Sequence, residues 1–284
     1  KIYDEIFAFA NYAFNKAHAV SYAVVAYQTA YFKCHFTREY MAALLTSVLD
    51  NSDKVSGYIG ECRECGIALL PPDINRSADR FTVEEGGIRF GLVAIKNIGR
   101  GFIQAVMRER ESGGDFTSLY DFCSRMNGSE MNKRAVENLI RSGAFDSMGA
   151  RRSQLIKVYE SVMDSVAAQQ RENVEGQMDF FSMAADNDEK SNSVKEIPLP
   201  DIPEYTPEEL MTMEKATTGL YLSGHPMDHY RDAVRKLHAP TIVSIIEDFS
   251  RENGPERFTD GQRITIAGVI TSSKTKTTKN NSLM

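Results

Sequence analysis

A chain of 284 residues with 42% hydrophobic and 25% charged residues carries enough apolar material for two or three small cores. No apolar run reaches the roughly 18 residues that cross a bilayer, and no basic-then-apolar signal segment opens the chain, so the expected setting is cytoplasmic with no membrane partner. The formal net charge of -6 argues against a uniformly basic nucleic-acid binder, but the charges are segregated: Lys133, Arg134, Arg141, Arg151, Arg152 and Lys157 outnumber Glu137 and Asp146, whereas acids dominate 172–214 and leave a basic region for a polyanion.

In chain order, helices are expected over Ile2–Phe14, Ala17–Phe36, Arg38–Leu49 and Asp53–Cys65. The second follows a polar Asn15-Lys16-Ala17-His18 tip, and its Tyr22, Val25, Ala26, Thr29 and Phe32 recur at helical spacing, so that face is expected to pack inward. Lys16, His18 and the first-turn amides then suit an anion; a surface cap on a core helix has the same pattern. Pro71-Pro72 breaks the periodicity and marks a boundary near residue 76. Residues 81–92 alternate around Gly86-Gly87 and predict a β-hairpin.

Residues 94–106 have the shape of a helix-hairpin-helix: a short apolar helix, a turn with Gly99 and Gly101, and a second helix. Lys96, Asn97, Ile98, Gly99, Arg100 and Gly101 are the candidate DNA-binding residues. The glycines would let the backbone approach a phosphate, helix-start amides would donate to it, and Lys96 and Arg100 would add charge. An ordinary turn between helices also uses glycine. Helical segments beginning at Thr117 and Lys133 repeat the pattern, followed by a helix over Arg151–Gln170, so residues 77–171 read as one domain that tracks duplex backbone without reading bases. Cys34, Cys62, Cys65 and Cys123 make no disulfide framework, and Cys62-x-x-Cys65 lacks the second pair of a zinc site and sits at a helix end rather than in a redox motif. No metal ligand set and no catalytic residue is assigned.

Residues 172–204 turn acidic and polar, and Ala184–Pro203 is expected to be a mobile linker. Within the acidic surround, Gln177-Met178-Asp179-Phe180-Phe181 is an apolar island that suggests a docking peptide, with local packing on the preceding helix as the alternative. Thr206-Pro207-Glu208-Glu209 starts a helix in a connector over 205–240. His225 has no partner at metal spacing and reads as structural. Ile264, Ile266 and Gly268 alternate along an expected strand, and Lys274, Lys276 and Lys279 follow in a polar loop.

Phe14-Asn15-Lys16-Ala17-His18, the run from Ala26 to Lys33, and Glu39 to Leu45 resemble the fingers of bacterial replicative DNA polymerase III alpha subunits. Ser142–Asp146 resembles that family's second helical repeat, Gln177–Phe181 its internal clamp-binding pentapeptide with Met178 and Phe180 where leucine is common, and Leu220–Met227 another family segment. Residues 263–270 resemble the first strand of its oligonucleotide-binding (OB) barrel. The resemblance implies a mainly α fold: the C-terminal part of the fingers at 1–76, a tandem helix-hairpin-helix domain with a small β-hairpin, a linker, and from 241 the start of an incomplete OB-fold. It implies contacts of Lys16 and His18 with phosphate or template, stacking by Tyr22, and duplex template-primer DNA, the sliding clamp (beta subunit) and other replicase subunits as partners. The implied parent extends primers by phosphoryl transfer assisted by Mg2+ in a palm whose carboxylates lie outside this chain. Lys1 is no initiator methionine and the last expected strand is cut short, so a piece of a longer protein is expected. A helix-hairpin-helix DNA-repair protein and a non-catalytic clamp-tethered adaptor are the other classes, and the upstream reading frame separates them.

Overall fold

The structure is a computed structural model that describes residues 1–12, 16–49, 51–128, 131–174, 197–251 and 254–270. It has two compact units, Lys1–Leu222 and Ser223–Met284.

The first unit opens with α1 (Ile2–Tyr12), α2 (Lys16–His35), α3 (Thr37–Ser47) and α4 (Ser52–Glu64). The expected inward face of α2 is not buried. Tyr22, Val25 and Phe32 are 63%, 56% and 52% exposed. The reason is compositional: apolar residues surround the α2 axis instead of forming one stripe. The core is instead entered by Met41, Ala42 and Leu45 of α3 and by Val55, Ile59 and Cys62 of α4. Lys33 pairs with Glu61 and ties the end of α2 to α4.

Three short strands follow, β1 (Ala68–Leu70), β2 (Thr82–Glu84) and β3 (Gly87–Arg89), in the order β1-β3-β2. The hairpin of β2 and β3 matches the sequence expectation, with Val83 opposite Ile88. The parallel pairing of β1 with β3 is additional. It requires glycine at 87, where a Cβ would stand 2.2 Å from the Ala68 carbonyl oxygen. A single 3-10 turn, Leu92–Ala94, then replaces the expected first hairpin helix.

Helices α5 (Arg100–Gly113), α6 (Leu119–Met126), α7 (Lys133–Ser142) and α8 (Arg152–Val174) surround an aromatic cluster. Phe122 of α6 meets Phe102, Phe116 and Phe145 edge to face, at centroid distances of 6.3, 5.0 and 5.1 Å. The two buried thiols of this unit are pushed up by burial, Cys123 to about 12 and Cys62 to about 11, so both remain protonated core groups.

Residues 197–204 depart from the linker expectation. They lie along the start of α8: Gln154 donates to the Pro200 carbonyl at 2.8 Å, Arg151 donates to the Ile202 carbonyl at 2.7 Å, and Ile197 packs on the core. The physical reason is the open start of α8. The Glu204 carboxylate accepts from the backbone N–H of Arg152 at 2.7 Å and of Ser153 at 2.9 Å, capping a helix that begins 52 residues earlier. Helix α9 (Pro207–Thr218) then starts on a capping box of Thr206 and Glu209, as its sequence signals.

Burial opposes ionisation of Glu204, but hydrogen bonds from the Ser153, Tyr205 and Arg152 amides outweigh it and hold the carboxyl below its usual pKa. A depressed folded pKa contributes stability above the unfolded value, and that contribution is lost as pH falls through the folded one. Glu204→Gln is therefore expected to cost about 1 kcal/mol near neutral pH. Denaturation midpoints of wild type and variant should converge on acidification below the ordinary carboxylate range; a constant gap would refute the capping account.

The second unit contains a 3-10 turn at Pro226–Tyr230, α10 (Arg231–Lys236) and α11 (Ile242–Phe249). Asp248 is buried and accepts from the amides of Glu256, Arg257 and Phe258 at 3.2, 2.8 and 2.9 Å, which folds 256–258 back on α11. No strand forms over 263–270, where Ile264 and Ile266 are exposed. A lone barrel strand has no ladder partner among the described residues, and extended backbone without one is not a strand. Lys274, Lys276 and Lys279 lie outside the described residues.

Candidate nucleic-acid interface

The hairpin at 95–101 is held from behind. The Lys96 amide donates to the Thr217 carbonyl at 2.8 Å, the Lys96 carbonyl accepts from the Asn138 side chain at 2.7 Å, and Lys96 Nζ donates to the Ala216 carbonyl at 3.1 Å. Lys96 thus fixes the turn against α7 and the end of α9, and one of its three ammonium donors is engaged. Ile98 packs on the core, while Gly99, Arg100 and Gly101 are exposed.

Backbone conformation revises the role of the glycines. The left-handed residue in the turn is Asn97, with φ 62°, a conformation asparagine tolerates. Gly99 has φ −73° and ψ 144°, which any residue adopts. Its contribution is the missing side chain: it precedes α5 without providing a side-chain cap, so no cap occupies the first-turn amides of α5. The Arg100 guanidinium enters no ion pair among the described residues.

The second hairpin is closed by comparison. Asn132 caps α7 by accepting from the Ala135 amide at 2.9 Å. Lys133 sits 3.0 Å from Asp164 and 3.7 Å from Glu160 of α8, and the hydrogen bond to Asp164 raises its pKa most. The basic region expected to be open to a polyanion is largely neutralised within the fold. Arg141 pairs with Glu137 at 2.7 Å, Arg151 with Asp201 at 3.5 Å, and Arg152 with Asp146 at 2.6 Å and Glu214 at 3.2 Å. Asp201 and Glu214 lie in residues 197–214, which pack onto α8 and α7. Arg134 and Lys157 are left outside these pairs.

Beside the open hairpin lies a cleft of about 330 Å³ between α3, residues 79–80, Val93 and the first turns of α5. Arg80 and Gln104 join Arg100 on its walls. Neither was singled out by sequence; the signal available for Arg80 was its place just before the hairpin strand beginning at Thr82. No residue of α2 lines this cleft. Lys16 opens α2, and the His18 ring lies tilted against Tyr22 at 4.3 Å on its exposed surface, so His18 and Tyr22 form a separate candidate surface. Gln177, Met178, Asp179, Phe180 and Phe181 lie outside the described residues. Among the described residues, no three His, Cys, Asp or Glu side chains converge as a metal site would require.

An open, glycine-led helix start backed by a second helical hairpin defines a helix-hairpin-helix domain, and residues 66–155 match a family model described as a helix-hairpin-helix motif. The chain is 36% identical over 280 residues to DNA polymerase III subunit alpha of Vibrio cholerae, 39% over 277 residues to that of Neisseria meningitidis, and 38% over 286 residues to that of Deinococcus radiodurans. These matches cover 98%, 96% and 100% of this chain and 23%, 22% and 21% of the respective relatives. The chain belongs to the DNA polymerase III alpha subunit family and spans somewhat under a quarter of the length of the curated relatives it matches.

Proposed function

We propose that this chain is the duplex-contacting and clamp-docking portion of a replicative DNA polymerase, acting in the cytoplasm with template-primer DNA and other replicase subunits. The observation that carries the DNA contact is the start of α5: an exposed glycine in place of a side-chain cap, with the Arg100 guanidinium beside it. Such a helix start donates N–H groups to a phosphate oxygen and places positive partial charge next to it. Contacts of this kind position a duplex without reading its sequence. The names of the relatives favour this reading over a repair protein or an adaptor. On the same reading Lys16 and His18 approach phosphate or template and Tyr22 stacks on a base. Nucleotide addition, with its Mg2+, belongs to a palm outside the described residues, and no step of it is assigned to them.

Each lost phosphate contact lowers the salt dependence of binding by roughly 0.9 in the log-log slope. Arg100→Ala should therefore flatten the slope by about that amount, and a bulky residue at Gly101 should weaken binding equally for unrelated duplexes. Lys96→Ala is a poorer probe, because it also removes the contact with Ala216. Unchanged affinity and slope for both the Arg100 and Gly101 variants would remove the hairpin from the DNA surface.

Clamp docking is proposed for Gln177–Phe181. A buried phenylalanine contributes about 1.5–3 kcal/mol, the Gln177 amide orients the peptide, and ordering a free peptide opposes the gain. An isolated affinity around micromolar would suffice when both proteins share one DNA. Changing Phe180 and Phe181 together to alanine should abolish binding to purified clamp while leaving duplex binding intact. Equal calorimetric affinities for wild type and the double variant would return both rings to local packing.

A further inference from the structure

One phosphate at the start of α5 leaves the adjoining cleft unexplained. Its placement relative to the hairpin is rigid. The Leu92 amide donates to the Ala78 carbonyl at 2.9 Å and the Val93 amide to the Asp79 carbonyl at 3.1 Å, which fastens residues 78–79 to the 3-10 turn leading into the hairpin. Gly91 passes so close beneath that a Cβ there would stand 2.4 Å from the Arg80 carbonyl carbon. The backbone of Arg80 therefore cannot shift independently of the hairpin.

The side chain of Arg80 is 69% exposed, and its pairing with Asp79 runs through Nε at 3.5 Å. Arg100 lines the same cleft and Gln104, one turn further along α5, adds an amide. Two guanidinium groups against one carboxylate leave the cleft net positive. Thr46 of α3 and Leu49 just beyond it also line the cleft.

We infer that this cleft seats a second phosphate of the same DNA strand, adjacent to the one at the start of α5, with Arg80 and Gln104 as its side-chain donors. The inference rests on the hairpin reading above. It favours backbone phosphate over a free nucleotide because no aromatic ring lines the cleft to stack on a base. Guanidinium groups supply the planar, paired donors that phosphate oxygens accept.

The test is a salt titration of duplex binding by the full chain, comparing wild type, Arg80→Gln, Arg100→Gln and Asp79→Asn. Arg80→Gln should lower the slope by about 0.9, equally on unrelated sequences, independently of a similar loss in Arg100→Gln. Asp79→Asn should tighten binding by releasing Arg80 and removing a negative charge. A wild-type slope for Arg80→Gln beside a reduced slope for Arg100→Gln would overturn the second seat and leave the hairpin contact standing. Wild-type slopes for both would overturn the hairpin reading and this inference with it. Calorimetry with a deoxynucleoside triphosphate and no DNA adds a further arm: binding there that Arg80→Gln abolishes would assign the cleft to free nucleotide and overturn the strand assignment. Arg80 and Arg100 are both exposed, so the variants should melt like wild type.

Discussion

Phe122→Ala is expected to lower the stability of the Lys1–Leu222 unit by about 3–5 kcal/mol, read as a fall in the denaturant midpoint. Phe122 is fully buried and is the one ring that touches Phe102, Phe116 and Phe145 together. Removing it deletes three edge-to-face contacts, each worth about 0.5–1.5 kcal/mol beyond the area it buries, and leaves a void that rigid neighbours fill only in part. One of those neighbours is itself constrained. Arg125 lies over the Phe116 ring at 4.3 Å, and the Phe116 amide and carbonyl both bond to the side chain of Asn75, at 2.8 and 2.9 Å. Function should follow through folding alone. Phe102 belongs to the first turn of α5, so duplex binding should fall with the folded fraction while the salt slope of folded protein stays unchanged. A loss below about 1 kcal/mol would show that the cluster collapses around the gap and does not organise the hairpin domain.

The legible parts of the fold were those in which a few neighbouring residues decide the outcome. The helices α3 to α9 carry their own apolar spacing, and the Thr206-Pro207-Glu208-Glu209 start forms the capping box its sequence announces. The hairpin of β2 and β3 was legible from alternation around Gly86-Gly87. β1 was not, because three residues give no periodicity and its pairing depends on Gly87 far along the chain. The exposure of α2 could not be read either, since an apolar helix states that it needs cover without stating where the cover is. At the candidate site, Arg100 and the glycines stood out locally. Arg80 did not, because the close pass of Gly91 beneath it is a tertiary fact. The basic run from Lys133 to Lys157 misled for the same reason: Asp164, Asp201 and Glu214, which neutralise much of it, are contributed by other helices and loops.

Arg152→Leu should cost about 3–5 kcal/mol, because it breaks a buried ion pair by removing one partner. The Arg152 side chain is 7% exposed and Glu214 is 1% exposed, and they meet at 3.2 Å. Arg152 also grips Asp146 with Nε and a terminal nitrogen, at 3.0 and 2.6 Å, and donates to the Arg141 carbonyl at 3.3 Å. Burial works against its charge, but Asp146 and Glu214 more than offset this and raise its pKa. The group thereby joins the end of α7, the start of α8 and the middle of α9, while the other Glu214 oxygen accepts from the Leu222 amide at 2.9 Å. Losing the guanidinium removes the charged partner that Glu214 meets at 3.2 Å, whereas Glu214→Leu leaves Arg152 still paired with the half-exposed Asp146. The first change should therefore be the more damaging. A double variant, Arg152→Leu with Glu214→Leu, should recover much of the loss, since apolar replacements of a buried pair are often neutral. Equal losses in both single variants, adding without coupling in the double, would show that the pair is not the joint between these three helices. The hairpin adds a functional readout: Lys96 is anchored on Ala216 and Thr217 of α9, so loosening α9 should weaken duplex binding before the whole unit melts.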